Sequence, residues 1–264
     1  MAKYKFGFIG LGNMGGALAA AACADHPARV IVANRTQARA EAFAEKYGCA
    51  VGTFEEAARE SEYVILGMLP GAVCEVASRV YPAMRASGDR RVLVSMAAGV
   101  SLAQLQACTN DALPIIRIIP NTPVAVGKGL ILYAANEHID ADTIADFTSA
   151  MSCAGTLDPL PESLFYAGSA VAGCGPAFAA MFIDALADGG VKAGLPRAKA
   201  IAYAAQMLRG AAELAIRTGD HPGALKDAVC SPGGSTIEGV QALEEGGFRA
   251  AVMRAVVAAW EKHR

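Results

Sequence analysis

No stretch of the sequence approaches the roughly 18 consecutive apolar residues of a membrane-spanning helix, so the apolar share of 54% needs another kind of cover. Neither sign of charge forms a long block. With 23 basic and 25 acidic side chains the net charge is -2, which argues against nucleic acid or an anionic membrane as partner. No two of the seven cysteines (Cys23, Cys49, Cys74, Cys108, Cys153, Cys174, Cys230) sit at metal-ligand spacing. No metal site is expected, and an odd number of isolated thiols suits a reducing compartment. Met1-Ala2-Lys3-Tyr4 runs into the first strand without an apolar leader, which makes the cytoplasm the expected location. The histidines His26, His138, His221 and His263 lack neighbours that suggest a buried acid–base pair, and they read as solvated surface.

What the chain does have begins at Lys5 to Gly16, KFGFIGLGNMGG. Tyr4 to Ile9 is a short run rich in aromatic and β-branched residues, as in a strand. It breaks at Gly10-Leu11-Gly12-Asn13-Met14-Gly15, and an alanine-dense helix follows. Strand, glycine turn and helix in that order are what a dinucleotide site requires. Gly10 turns tightly, Gly12 lets the backbone approach a pyrophosphate, and Gly15 allows close helix packing. Unpaired amides at the helix start receive the phosphates. The competing reading is a purely structural turn at the edge of an α/β sheet.

The second strand, Arg29 to Ala33, delivers Asn34-Arg35-Thr36 to the edge where an adenine ribose lies. No carboxylate stands there to hold two ribose hydroxyls. Arg35 can instead pair with a 2′-phosphate, so NADPH is expected over NADH, with NADH still possible. A surface arginine at a helix start is the alternative.

Thr36 to Tyr47 reads as a charged amphipathic helix, Cys49 to Gly52 as a short strand and Phe54 to Glu60 as a helix. Tyr63 to Met68 is apolar on both faces, as in a covered parallel sheet, and breaks at Leu69-Pro70-Gly71. Gly71 to Ala86 is helical. Arg91 to Ser95 is a strand that turns through Met96-Ala97-Ala98-Gly99-Val100 into a helix over Ser101 to Thr109. Ile115 to Ile119 is another strand, stopping at Pro120-Asn121-Thr122-Pro123. A doubly wound sheet binds at its strand C-termini, which adds Met68, Leu69, Pro70, Ala97, Gly99 and Asn121 to the candidate cofactor contacts. Asn121 either orients the nicotinamide carboxamide or a water, or bonds its own backbone as a turn residue. Lys128 to Ala134 resembles a strand, Ile139 to Met151 a helix, and Ala154 to Leu157 an edge strand.

Beyond Pro159 and Pro161 strand alternation ceases. Glu162 to Ala172, Pro176 to Ala193, Arg197 to Gly219, Ala224 to Val229, Thr236 to Glu245 and Phe248 to Lys262 all read as helices. The fold class is therefore α/β: a Rossmann-like doubly wound sheet over 1–158, then an all-helical domain over 159–264 that reads as a dimerisation domain. Stripes at Phe178, Met181, Phe182, Ala185 and Leu186, and at Ile201, Ala205, Leu208, Ala212 and Ala215, are core or dimer surface. So small and alanine-rich a domain buries little by itself, and pairing with a second copy supplies the missing cover.

Five stretches in order then resemble the pyrroline-5-carboxylate reductase family over essentially the whole chain. They are FIGLGNMGGAL from Phe8, SMAAGVSLAQL from Ser95, IPNTPVAVGKG from Ile119, the pair GCGPAF from Gly173 and DAVCSPGGSTIEG from Asp227 counted as one, and, within the span of that pair, DGGVKAGLPRAKA from Asp188. The resemblance implies hydride transfer from NAD(P)H to the C=N bond of 1-pyrroline-5-carboxylate, giving L-proline. It also implies an intertwined homodimer, often assembled further, with the substrate between the domains. By position, Gly173-Cys174-Gly175-Pro176 and Ser231-Pro232-Gly233-Gly234-Ser235-Thr236 hold the substrate carboxylate, and Glu162 is an acidic residue near it. Cys174, Gly175, Gly234, Ser235, Thr236 and Glu162 are the substrate-side candidates. The residues agree, since both loops place small residues before helices whose first amides can take a carboxylate. Ser235 as an N-cap with Glu238 as its capping-box partner is the structural alternative.

The chain departs from the family pattern at Leu69, where relatives carry a lysine, at Phe54 in place of asparagine, and at Cys174 and Phe178 in place of serine and tyrosine. Cys174 is a weaker donor than serine, and beside a helix start it is either a reactive thiol or a small hydrophobe. Two other readings stay open: a reductase of a related cyclic imine carboxylate such as a six-membered ring, and a non-catalytic NADP-binding regulatory protein or complex member.

Overall fold

A computed structural model describes residues 2–109 and 113–262, so the reading of His263 lies outside the described residues. β1 (Tyr4–Ile9) is buried throughout and ends at Gly10, which gives way to α1 (Asn13–Asp25). Then come β2 (Val30–Ala33), α2 (Gln37–Tyr47), β3 (Ala50–Val51), α3 (Phe54–Glu60), β4 (Ser61–Leu66), α4 (Pro70–Ala86), β5 (Val92–Ser95), α5 (Leu102–Thr109) and β6 (Ile115–Ile119). Thr53 and Glu56 close a reciprocal capping box at the start of α3, which gives that helix a sharp first residue. After β6 a single 3-10 segment, Thr122–Val126, leads into β7 (Gly129–Ala135), followed by α6 (Ala141–Met151) and β8 (Gly155–Pro159).

The sheet runs in the order β3-β2-β1-β4-β5-β6-β7-β8. Strands β1 to β6 pair parallel, and the order reverses between β1 and β4, which makes the crevice outside their C-terminal ends the switch point. β7 pairs antiparallel to β6, with Arg117 opposite Ala134. The link from Ile119 to Gly129 is too short for the helical crossover that a parallel neighbour requires. β8 is the edge strand, parallel to β7. One face of the sheet packs Leu18, Ala19 and Ala22 of α1 with Phe147 and Met151 of α6. The other packs Ala57 and Ala58 of α3, Val73, Ala77 and Val80 of α4, and Leu105 of α5.

A compact unit runs to Gly173 and a second spans Cys174–Lys262. The division read at 158/159 differs because the chain past Pro159 folds onto the sheet. Leu160 N donates to Tyr133 O at 2.9 Å, and Phe165 in the short α7 (Phe165–Gly168) is fully buried. The helix read over Glu162 to Ala172 is broken into a 3-10 turn, α7 and a π segment, Ser169–Gly173. The second unit consists of α8 (Gly175–Lys192), α9 (Arg197–Thr218), α10 (Pro222–Val229), α11 (Ser235–Glu245) and α12 (Phe248–Glu261). Glu162–Lys192 is the one run among the described residues that is long and apolar enough, by length and composition, to cross a membrane, and little of it is buried.

The cysteines need correction. Cys74 of α4 and Cys108 of α5 form a disulfide, with Cα atoms 5.3 Å apart and a sequence separation of 34. Spacing along the chain could not show it, because helix packing brings the two together. Cys23 and Cys49 also meet, and the Cys49 hydrogen bond, with burial, pushes the Cys23 thiol up.

Candidate active site

Three glycines make the switch-point crevice. Gly10 has φ +97°, a conformation costly to any residue with a side chain. A Cβ on Gly15 would stand 2.3 Å from the Gly10 carbonyl oxygen, and one on Gly67 would stand 2.5 Å from the same atom. β1, β4 and α1 therefore meet backbone to backbone. Gly67 was not singled out from the sequence, although a glycine between an apolar strand and Pro70 was the available signal.

Gly12 differs from its neighbours. A Cβ there would find only the Gly67 oxygen, at 3.7 Å, so nothing in the protein demands glycine and the space before it is open. Gly12 is also the N-cap of α1. The helix start has no side-chain cap and no acidic residue in its first turn, so the Asn13 to Gly15 amides face that space uncontested. This is what a pyrophosphate needs, and the residues present fit a dinucleotide.

Asn34 acts inside the turn, since its Oδ1 accepts from Leu11 N at 3.0 Å and its Nδ2 donates to Thr36 O at 3.1 Å. Arg35 beside it is exposed, with no ion pair among the described residues. Leu69 is 81% exposed and is the N-cap of α4, with Pro70 as first helical residue and Met68 half-buried before it. Ala97 is buried and donates its amide to Ser95 Oγ at 3.3 Å, whereas Gly99 is exposed at φ +79°.

Asn121 does not bond its own backbone. Its Oδ1 accepts from Leu130 N at 2.9 Å and its Nδ2 donates to Ala172 O at 3.0 Å, so the buried amide ties the turn to β7 and to the chain before Gly173. Glu162 is similarly engaged. Its Oε1 accepts from Leu102 N at 2.8 Å and from Arg117 Nη1 at 2.6 Å. Ser101 and Gln104 complete the closure of the α5 start, with Ser101 N bonded to Gln104 Oε1 at 2.8 Å and Gln104 N to Ser101 Oγ at 3.2 Å. No anion is needed there.

In the second unit, Ser231-Pro232-Gly233-Gly234 forms a tight turn, with Gly234 N bonded to Ser231 O at 3.0 Å and Gly233 at φ +68°. Proline followed by a left-handed glycine is the type II pattern. Gly234 is the N-cap of α11, which makes Ser235 the first helical residue and rules out the capping box with Glu238. The Ser235 and Thr236 hydroxyls are exposed and unbonded among the described residues. Cys174 is the N-cap of α8 and caps nothing, and a Cβ on Gly175 would meet nothing within 4 Å. Both starts leave amides to an outside acceptor. His26 and His221 are exposed, as read; His138 is half-buried beside Glu137.

Residues 162–264 match the family model for pyrroline-5-carboxylate reductase dimerisation, and residues 5–99 match that for the coenzyme F420-dependent NADP oxidoreductase. The chain is 37% identical to the pyrroline-5-carboxylate reductase of Escherichia coli K12, over 98% of this chain and 96% of that one. It is 40% identical to that of Synechocystis, with the same coverage. Its fold is similar to a solved Plasmodium falciparum pyrroline carboxylate reductase with NADP bound, with TM-score 0.86 and 28% identity over 100% of this chain and 98% of that one. A Coxiella burnetii pyrroline-5-carboxylate reductase gives TM-score 0.89 and 28% identity, covering 99% and 97%. With both halves of the chain matched in order and near-complete coverage, the chain belongs to the pyrroline-5-carboxylate reductase family.

Proposed function

We propose that this protein reduces 1-pyrroline-5-carboxylate to L-proline as a cytoplasmic homodimer or larger homo-oligomer, with NADPH preferred. The observation that carries the reading is the uncontested start of α1 at the β1/β4 switch point, in a chain that matches these reductases over 98% of its length. The unit ending at Gly173 serves the dinucleotide, and α8 to α12 serve substrate and dimerisation. The Gly12 to Gly15 backbone holds the pyrophosphate, Arg35 reads the 2′-phosphate, and the 120–123 turn after β6 borders the nicotinamide end together with the 97–101 turn after the neighbouring β5. The reduced nicotinamide supplies a hydride when bound. The α8 and α11 starts, with the Ser235 and Thr236 hydroxyls, receive the imine carboxylate. A new C–H bond forms at the imine carbon while the C=N π pair moves to a nitrogen that already bears its proton. No residue has to donate one, which suits a chain in which none of the described histidines is buried. Orientation does the rest.

Thr236→Ala tests the carboxylate site, because it removes a hydroxyl and keeps the amides. We expect kcat/KM for the five-membered imine to fall by about one to two decades, the equivalent of roughly 1.5–3 kcal/mol for a charge-assisted bond. NADPH binding should hardly change. Unaltered kinetics would put the carboxylate elsewhere, and efficient wild-type reduction of a six-membered ring alone would keep the site and change the substrate.

A further inference from the structure

Arg117 is the charged residue in the middle of β6, flanked by Ile115, Ile116, Ile118 and Ile119. Its side chain is 4% exposed. The guanidinium carbon lies 4.8 Å from the centre of the Phe165 ring, and Nη1 donates to Glu162 Oε1 at 2.6 Å. Nε and Nη2 are enclosed and meet no acceptor. Such a group is a poor device for stability. Removing a guanidinium from water costs more than one carboxylate bond returns, and two bare donors add to the cost. A fifth aliphatic side chain in this strand would avoid both.

What the arginine does provide is position. The Glu162 oxygen that it holds is the same atom that accepts from Leu102 N, the first amide of α5. Leu102 follows the 97–101 turn directly, and that turn is anchored at its other end where Ala97 N meets Ser95 Oγ; Ser95 lies opposite Arg117 in the sheet register. Arg117 thus reaches the far end of the turn through one carboxylate, while its strand neighbour holds the near end. A permanently charged guanidinium stacked on Phe165 holds the carboxylate in place through its one Nη1 bond.

We propose that Arg117 is a positioning residue for the reduction: through Glu162 it sets the 97–101 turn, and with it the nicotinamide end of the cofactor relative to the imine. The inference rests on the reductase reading above. It makes Glu162 part of the same device, one step removed from the substrate.

The test compares Arg117→Met, Arg117→Lys, Glu162→Gln and the Arg117→Met/Glu162→Gln double variant with wild type. The measurements are melting temperature, NADPH affinity by fluorescence, kcat and KM, and the isotope effect on kcat with NADPH deuterated at C4. For Arg117→Met we expect kcat to fall about tenfold or more with NADPH affinity nearly unchanged, and the isotope effect to rise as hydride transfer becomes limiting. Arg117→Lys should recover part of kcat, and Glu162→Gln, which keeps an acceptor for both donors, should lose less than Arg117→Met. The double variant should lose no more than its worse parent, because both act through one contact. A lower melting temperature with wild-type kcat and isotope effect would overturn the proposal and leave Arg117 purely structural. Where Arg117→Met does not fold, the same readouts on Arg117→Lys and Glu162→Gln decide, and wild-type values in both overturn it. An inactive wild type would instead overturn the reductase reading itself.

Discussion

In the first unit the sheet strands are sealed on both faces: Phe8, Ile9, Val64, Ile65, Leu93 and Val94 are fully buried. In the second unit the buried apolar residues among those described are Ala187, Ala200 and Ala204, while Met181, Ile216 and Met253 are 72%, 79% and 62% exposed. Hydrophobic composition thus means different things in the two regions. In the first it has become core. In the second it has become surface on a scale that single soluble chains avoid. The match of residues 162–264 to a dimerisation family accounts for that surface as an interface.

Cutting the chain is the strongest way to break this comparison. A protein ending at Gly173 should unfold cooperatively as a soluble monomer, because its core is complete within itself. Removing Thr236 onward should abolish assembly or solubility, since α12 and most of α11 go and the remaining helices lose cover. Sedimentation and thermal melts decide both, and a compact, fully active monomer of the whole chain would contradict the reading of the second unit.

A smaller effect confined to the first unit is expected from Gly67→Ala. Its Cβ would press on the Gly10 carbonyl at 2.5 Å, costing about 1–3 kcal/mol of stability as an overpacked site. Denaturant melts should show the loss while the oligomeric state holds; a neutral substitution would mean that the crevice can open without strain. The mildest probe is Arg35→Ala, which should raise the NADPH requirement roughly tenfold, or about 1.4 kcal/mol, and leave NADH almost untouched. Equal weakening of both cofactors would show that Arg35 does not read the 2′-phosphate.

Local punctuation made most elements legible. Gly10 ends β1 and Phe54 opens α3 where the sequence puts them, because the positive φ of the one and the Thr53–Glu56 capping box of the other are encoded within a few residues. What escaped depends on residues far apart in the chain. Cys74 and Cys108 meet only when α4 and α5 pack, and β7 takes its antiparallel direction from a short link that composition alone does not interpret. The amide of Asn121 and the carboxylate of Glu162 were visible as polar groups at the right places, yet their partners lie on other elements. Arg117 carried a readable signal, a lone charge inside an apolar strand, whose purpose appears only when Glu162 and Leu102 are found beside it.

The central claim is most directly tested by mixing the wild-type protein with NADPH and 1-pyrroline-5-carboxylate, following the loss of NADPH absorbance and quantifying L-proline. We expect one proline for each NADPH oxidised. NADPH that binds but is not consumed with the five-membered imine present would contradict the account.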